Sequence, residues 1–300
     1  MTDTTIDGGV AGSVPTTPRR KHGGYWATVG SRLARDRTTQ FCAGVLLLIL
    51  LALIFAPLIA PYDPLQGSLA RRLKPIGFPG HPLGTDELGR DMLTRLIYGG
   101  RLTWFVGLLP VIGAFLVGGT LGVLAGYSGG RVNMAIMRTT DVFYAFPSVL
   151  LAVAISGALG PGIGNAILAM TVVFIPPIIR VSESITTSVR NLDYVEAARA
   201  TGANAATIVR VHVLPNVLGP IFVYATTLVG VSMILASGLS FIGLGVKPPL
   251  PEWGLMLNTL RTAIYSQPAL ATLPGVCIFV TSICFNLASD GLRTAMDIRK

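Results

Sequence analysis

The sequence predicts an all-α polytopic membrane protein with six transmembrane helices, and three observations carry that prediction. The apolar residues gather in blocks close to the roughly 20 residues that cross a bilayer core as a helix. Only 12% of the residues are charged, where soluble domains carry about 25%. The mean hydropathy is +0.65, with 51% of the residues hydrophobic.

Taken in order, the blocks are residues 41–60, 103–126, 143–159, 164–179, 217–237 and 269–287. They divide the chain into an N-terminal arm 1–40, a first span 41–60, a loop 61–102, a five-helix core 103–290 that includes a loop at 180–216, and a tail 291–300. Residues 1–17 are rich in Gly, Thr and Ser and are expected to be disordered. About forty polar residues precede the first block, which argues against a secretory signal. The third and fourth blocks are separated only by Gly160 to Ile163, a sharp break between antiparallel spans, with a re-entrant pair as the alternative.

Six spans place both termini on one side, and the basic residues choose which. With the N-terminus inside, fifteen of the 23 Lys and Arg residues fall in inside segments. Both termini and the 180–216 loop are therefore expected in the cytoplasm, with 61–102 and 238–267 outside. The net charge of +9 lies between the apolar blocks, without the aromatic interleaving of a nucleic-acid surface, so nucleic acid is excluded as a partner and membrane lipid takes its place.

Within the blocks, Gly118, Gly122 and Gly126 recur at helical spacing and predict a ridge where another helix packs closely. Pro110, Pro176 and Pro177 predict kinks. Cys42, Cys277 and Cys284 read as small apolar packing residues, and no metal-ligating cluster accompanies them.

Catalysis finds little support. There is no G-x-x-x-x-G-K-[ST] phosphate loop, no H-E-x-x-H, and no carboxylate in the middle of any of the six blocks; His22, His81 and His212 all lie outside them. A secondary transporter would show buried ionisable residues and a repeat between halves, and neither is found.

The 180–216 loop is too long for a turn and reads as two short helices. Asp193 caps the first, Gly202 breaks it, and the second runs from Ala203 to Val213 and ends at Leu214, Pro215 and Asn216. Glu196, Ala197 and Ala198, then after three further residues Gly202, then His212, Leu214 and Pro215, resemble the EAA motif of ABC-importer permeases. His212 stands where the general motif has an aliphatic residue, as it does in peptide-type members. A second segment, His81 to Asp91 (HPLGTDELGRD), is similar to a signature of the C-type subunit of dipeptide, oligopeptide and nickel permeases; from its residues it predicts a capped interfacial helix starting at Thr85. A third, Leu239 to Leu244 with Lys247, Pro248, Pro249, Pro251, Glu252, Trp253 and Gly254, is similar to another signature of the same subunits.

The resemblance implies a type I importer permease fold and the bacterial inner membrane. It implies a heterodimer with a second homologous permease subunit, two cytoplasmic ATPase subunits and an external solute-binding protein. Glu196, Ala197, Ala198, Gly202, His212, Leu214 and Pro215 would then couple the chain to the ATPases. No cofactor is expected on this chain, ATP and Mg residing on the partners. Peptides are the expected substrate, with nickel or heme import by the same architecture as the alternative.

Overall fold

The computed structural model describes residues 25–296. The glycine- and threonine-rich start of the arm and the last four residues of the tail lie outside the described residues.

A short helix, α1 (Tyr25–Leu33), precedes the first span, α2 (Arg37–Ile54), whose N-cap Asp36 accepts the Thr38 N–H at 3.1 Å. The first span stops at Ile54, short of the expected residue 60. Pro57 has no N–H to continue the ladder, and the chain breaks at Phe55 into a single turn, α3 (Ala56–Ile59). The Arg101 guanidinium donates to the freed carbonyls of Leu53 (2.5 Å) and Ile54 (2.9 Å), so a cation satisfies this helix C-terminus.

The interfacial helix expected from Thr85 is absent; residues 60–91 form turns and a single 3-10 turn at Leu69–Arg71. The reason is local competition. The Asp86 carboxylate accepts the N–H groups of Leu88 and Arg90, both at 2.9 Å, which holds the chain in a turn instead of a helix. Helix α4 (Met92–Ser128) starts only after Asp91, whose side chain accepts the Thr94 N–H at 2.8 Å. The helix that carries the second span therefore begins at residue 92, inside the stretch expected as the loop 61–102.

The third span is not the straight helix expected over 143–159. It is a bent pair, α5 (Gly130–Tyr144) and α6 (Ser148–Leu159), meeting at 87° where Pro147 interrupts the helix. Helix α7 (Ile163–Arg190) extends well past residue 179, and both α4 and α7 remain helical through their prolines. The packing of α4 on α7 settles what the bent pair does. A Cβ added at Gly113 would meet Thr171, at Gly118 the Ile175 carbonyl, at Gly122 Ser182, and at Gly126 the Glu183 carbonyl. Residue numbers rise together along both helices, so α4 and α7 are parallel. The chain between them must return from the Ser128 end to the Ile163 end, so α5 and α6 together cross the bundle and are not a re-entrant loop. Asp141 consequently lies within a span, against the expectation that no span carries a central carboxylate; α5 reads as polar in sequence because Arg131, Asn133, Arg138 and Asp141 interrupt it.

After a short helix, α8 (Asp193–Ala200), the fifth span lies within a helical stretch from Ala205 to Phe241 that extends beyond the expected 217–237 at both ends. It comprises a single turn, α9 (Ala205–Thr207), a π-helical stretch Ile208–Val213, and α10 (Leu214–Phe241). Ser232 donates to the Gly107 carbonyl at 2.6 Å, and Phe222 meets Phe115 edge-on, so α10 runs antiparallel to α4. Helices α11 (Trp253–Thr259) and α12 (Pro268–Met296) complete the chain, with α12 packed between α10 and α2.

The end of the bundle where α4 begins carries a dense cap built from residues 60–91 and 242–267. Asp86 is buried between Arg90 (2.7 Å) and Arg95 (3.0 Å). His81 Nδ1 lies 2.8 Å from Asp91, and its Nε2 lies 3.1 Å from Arg71. Buried Glu252 caps α11, accepting the N–H groups of Gly254 and Leu255, while the Trp253 indole donates to the Leu96 carbonyl at 2.8 Å. Burial pushes the Glu252 carboxyl above its usual range, opposed by the hydrogen bonds from Gly254, Leu255, Ser240 and Thr103.

Candidate functional site: the hairpin between α7 and α10

At the opposite end of the bundle, α7 leaves off at Arg190, which donates to the Tyr127 carbonyl at the end of α4. Helix α8 follows after Leu192. Asp193 is its first helical residue and not its cap, because the extended residue is Leu192, which lacks a capping side chain. Asp193 and Glu196 nonetheless sit in the first turn, where a negative charge complements the helix dipole.

Gly202 closes α8. Its φ is +87°, a left-handed conformation that glycine adopts without a Cβ penalty. The Gly202 N–H bonds to the Arg199 carbonyl and the Ala203 N–H to the Ala198 carbonyl, both at 3.1 Å, which is the Schellman ending of a helix. Asn204 then caps the next turn by accepting the Thr207 N–H at 2.8 Å. Val195, Ile208, Val213 and Val217 are fully buried and join the hydrophobic core of the chain, which ties α8 to the rest of the bundle. Sequence reasoning missed these four and Asn204; a polar residue before an Ala-rich run was the signal for the cap.

The expected helix end at Leu214–Pro215–Asn216 does not occur, and the chain continues into α10. The ladder shifts register instead: the Leu214 N–H reaches back five residues to the Val209 carbonyl. Pro215, which has no N–H, falls in the first turn of α10, where that loss costs nothing. The His212 carbonyl takes the Asn216 amide at 2.7 Å. The second arm of the hairpin thus runs without a break into the helix of the fifth span.

The motif residues divide into two groups. Gly202, Leu214 and Pro215 shape the hairpin, and Ala198 packs on the hydrophobic core. Glu196, Ala197 and Arg199 point outward, and among the described residues the Glu196 carboxylate has no ion-pair partner. His212 is half-buried, its ring 6.2 Å from that of Tyr194. The Gly118, Gly122 and Gly126 ridge lies apart from this site, against α7.

A parallel pair of long helices, a bent span between them and a short outward hairpin continuous with the fifth span define a multi-span permease subunit of the type I importer kind. The chain superimposes on a subunit of the MetNI methionine ABC transporter in its inward-facing form with a TM-score of 0.56, covering 68% of this chain and 97% of that one at 20% identity. Residues 118–300 match the binding-protein-dependent transport system inner membrane component family, and residues 24–75 match the N-terminal TM domain of oligopeptide transport permease C. The chain belongs to the binding-protein-dependent transport system inner membrane components. It is 39% identical to the glutathione transport system permease protein GsiD of Pectobacterium atrosepticum, over 91% of this chain and 90% of that protein. It is 42% identical to the di/tripeptide transport system permease protein DppC of Pseudomonas aeruginosa, over 84% of this chain and 85% of that protein.

Proposed function

We propose that the chain is one permease subunit of an ATP-driven importer of short peptides in the bacterial inner membrane, and that it has no catalytic role of its own. The observation that carries the coupling role is the outward Glu196–Ala197 edge of the hairpin, whose carboxylate has no ion-pair partner among the described residues. Small side chains let such an edge enter a groove, and an unpaired carboxylate offers a charged partner a charge-assisted contact. Relatives that carry glutathione, dipeptides and tripeptides in their names support the peptide assignment.

In this reading both termini and the hairpin face the cytoplasm, where two ATPase subunits hold ATP and Mg. The cap around Asp86 faces outward, towards a solute-binding protein, and a second homologous permease subunit completes the path. ATP binding brings the ATPases together and moves the hairpin; because the hairpin is continuous with α10, the span reorients with it. Differential binding of ATP and substrate to the two states supplies the bias.

The test is reconstitution of the complete complex in liposomes with its binding protein. ATP-dependent uptake of a labelled dipeptide is expected. A complex whose ATP hydrolysis responds only to a nickel- or heme-loaded binding protein, with no peptide uptake, would replace the substrate assignment.

A further inference from the structure

The half of α7 nearest the hairpin presents an exposed polar stripe of Arg180, Ser184 and Ser188, spaced one turn apart. Beside it stands the elbow of the bent span, where every residue from Asp141 to Leu150 is exposed. The two meet in an ion pair: Arg180 Nη2 lies 2.6 Å from Asp141 Oδ1, with both side chains 49% exposed. The guanidinium also sits 4.4 Å above the Tyr144 ring.

The depth of this group matters. Phe143 and Tyr144 share a cavity of about 240 Å³ with Pro176 and Pro177, midway along α7, and with Leu228 and Val231 of α10. The elbow therefore lies within the span and not at its end. The first N–H groups of α6 have no intrahelical acceptor, and the last carbonyls of α5 have no intrahelical donor. Broken helices at such depth survive only where they are covered by protein or line water, and intramembrane charges follow the same rule. The unpaired helix ends and the half-exposed ion pair, set among the exposed apolar side chains of Val142, Phe146, Val149 and Leu150, call for water or protein, and not lipid alone, on that face.

We propose that the elbow and the Arg180 stripe line the aqueous translocation path, and that Arg180 is a way-station for the terminal carboxylate of a passing peptide. This rests on the peptide reading above. When the path is empty, Asp141 and the Tyr144 ring hold the guanidinium in place. A peptide carboxylate presents the same pair of oxygens as Asp141 and exchanges with it at the planar guanidinium fork. Because an exposed ion pair contributes little stability by itself, the exchange is easy in both directions, which is what a transit site requires.

Two measurements on the complete complex test this. The first uses Phe146→Cys and Val149→Cys, with Leu48→Cys on exposed α2 as the lipid-facing control, in a chain whose Cys42, Cys277 and Cys284 are replaced by Ala. A charged, water-soluble thiol reagent should modify the two elbow positions far faster than position 48. Labelling of the elbow as slow as the control would place it against lipid or against the second subunit and overturn the proposal. The second compares dipeptide uptake at saturating binding protein. Arg180→Gln should lower the rate about tenfold, the equivalent of one charge-assisted hydrogen bond, while Asp141→Asn, which leaves the cation in place, should stay near wild type. Normal uptake by Arg180→Gln, or equal loss in both variants, would overturn the carboxylate role and leave the pair as a structural tie. If the wild-type complex moves no peptide at all, the substrate assignment fails while the labelling still decides where the path runs.

Discussion

The two ends of this bundle are built in opposite ways. In the cap, the charged signature residues satisfy one another: Asp86 is shared by Arg90 and Arg95, Asp91 both caps α4 and holds His81, and Glu252 caps α11, all buried. In the hairpin, the signature residues Glu196 and Ala197 are exposed, and among the described residues nothing approaches within 4 Å of a Cβ built at Gly202. A motif satisfied inside its own chain is a folding device. A motif that the fold holds outward without using is available to a partner. Substitutions in the cap should therefore act on stability, and substitutions in the hairpin on transport.

The largest effect on the fold is expected for Asp86→Ala, which takes the shared carboxylate from two buried guanidinium groups and leaves Arg90 with Glu87 and Arg95 with the Pro64 carbonyl. Removing one partner of a buried pair costs about 3–5 kcal/mol. Thermal unfolding of the detergent-solubilised chain should show a large fall in midpoint; an unchanged midpoint would dissolve the contrast between the two ends.

Gly202→Val comes next. A side chain in the left-handed region costs about 1–2 kcal/mol, yet the added atoms meet open space, so the chain should still fold with a modestly lowered midpoint. Uptake should nevertheless be lost, because the Schellman ending that sets the angle of α8 is disturbed. Normal uptake would show that the angle of α8 does not matter for coupling.

A smaller effect concerns pH. Burial raises the Glu252 carboxyl, so the folded state holds that proton more tightly than the unfolded chain. Its contribution to stability is present below the ordinary value of 4.5 and is lost as pH rises through the raised folded value. Unfolding midpoints across that range should fall with pH in the wild type and less steeply in Glu252→Gln. Parallel curves would mean that Glu252 is not the titrating group.

Much of this was legible in the sequence, and the exceptions have physical causes. Runs of Leu, Val and Ile announce α2, α4, α7, α10 and α12, because lipid demands apolar side chains along most of each span. The third span was half hidden: Arg131, Asn133, Arg138 and Asp141 interrupt the apolar pattern of α5, which is exposed along most of its length, and Pro147 cuts what remains. Glu196, Gly202 and Pro215 were legible because their spacing is that of a motif, but Pro215 reads as a stop when the π-helical stretch before it lets the helix go on. The Thr85 helix start failed because Asp86, an acceptable first-turn residue on paper, bonds instead to Leu88 and Arg90. The Asp86–Arg90–Arg95 and His81–Asp91 pairs were out of reach, since nothing in a linear sequence says which charges a loop will fold together.

The central claim is that the hairpin couples the chain to its ATPases through an edge the fold itself does not need. Glu196→Lys tests it most directly. Glu196 is exposed and has no ion-pair partner among the described residues, so Glu196→Lys should cost only the roughly 1 kcal/mol of reversing a charge in the first turn of α8, a small shift in the unfolding midpoint. In the same preparation, ATP-driven uptake and retention of the ATPase subunits should drop severely, because a cation replaces the carboxylate at the docking edge. Wild-type uptake by Glu196→Lys at matched expression would contradict the account.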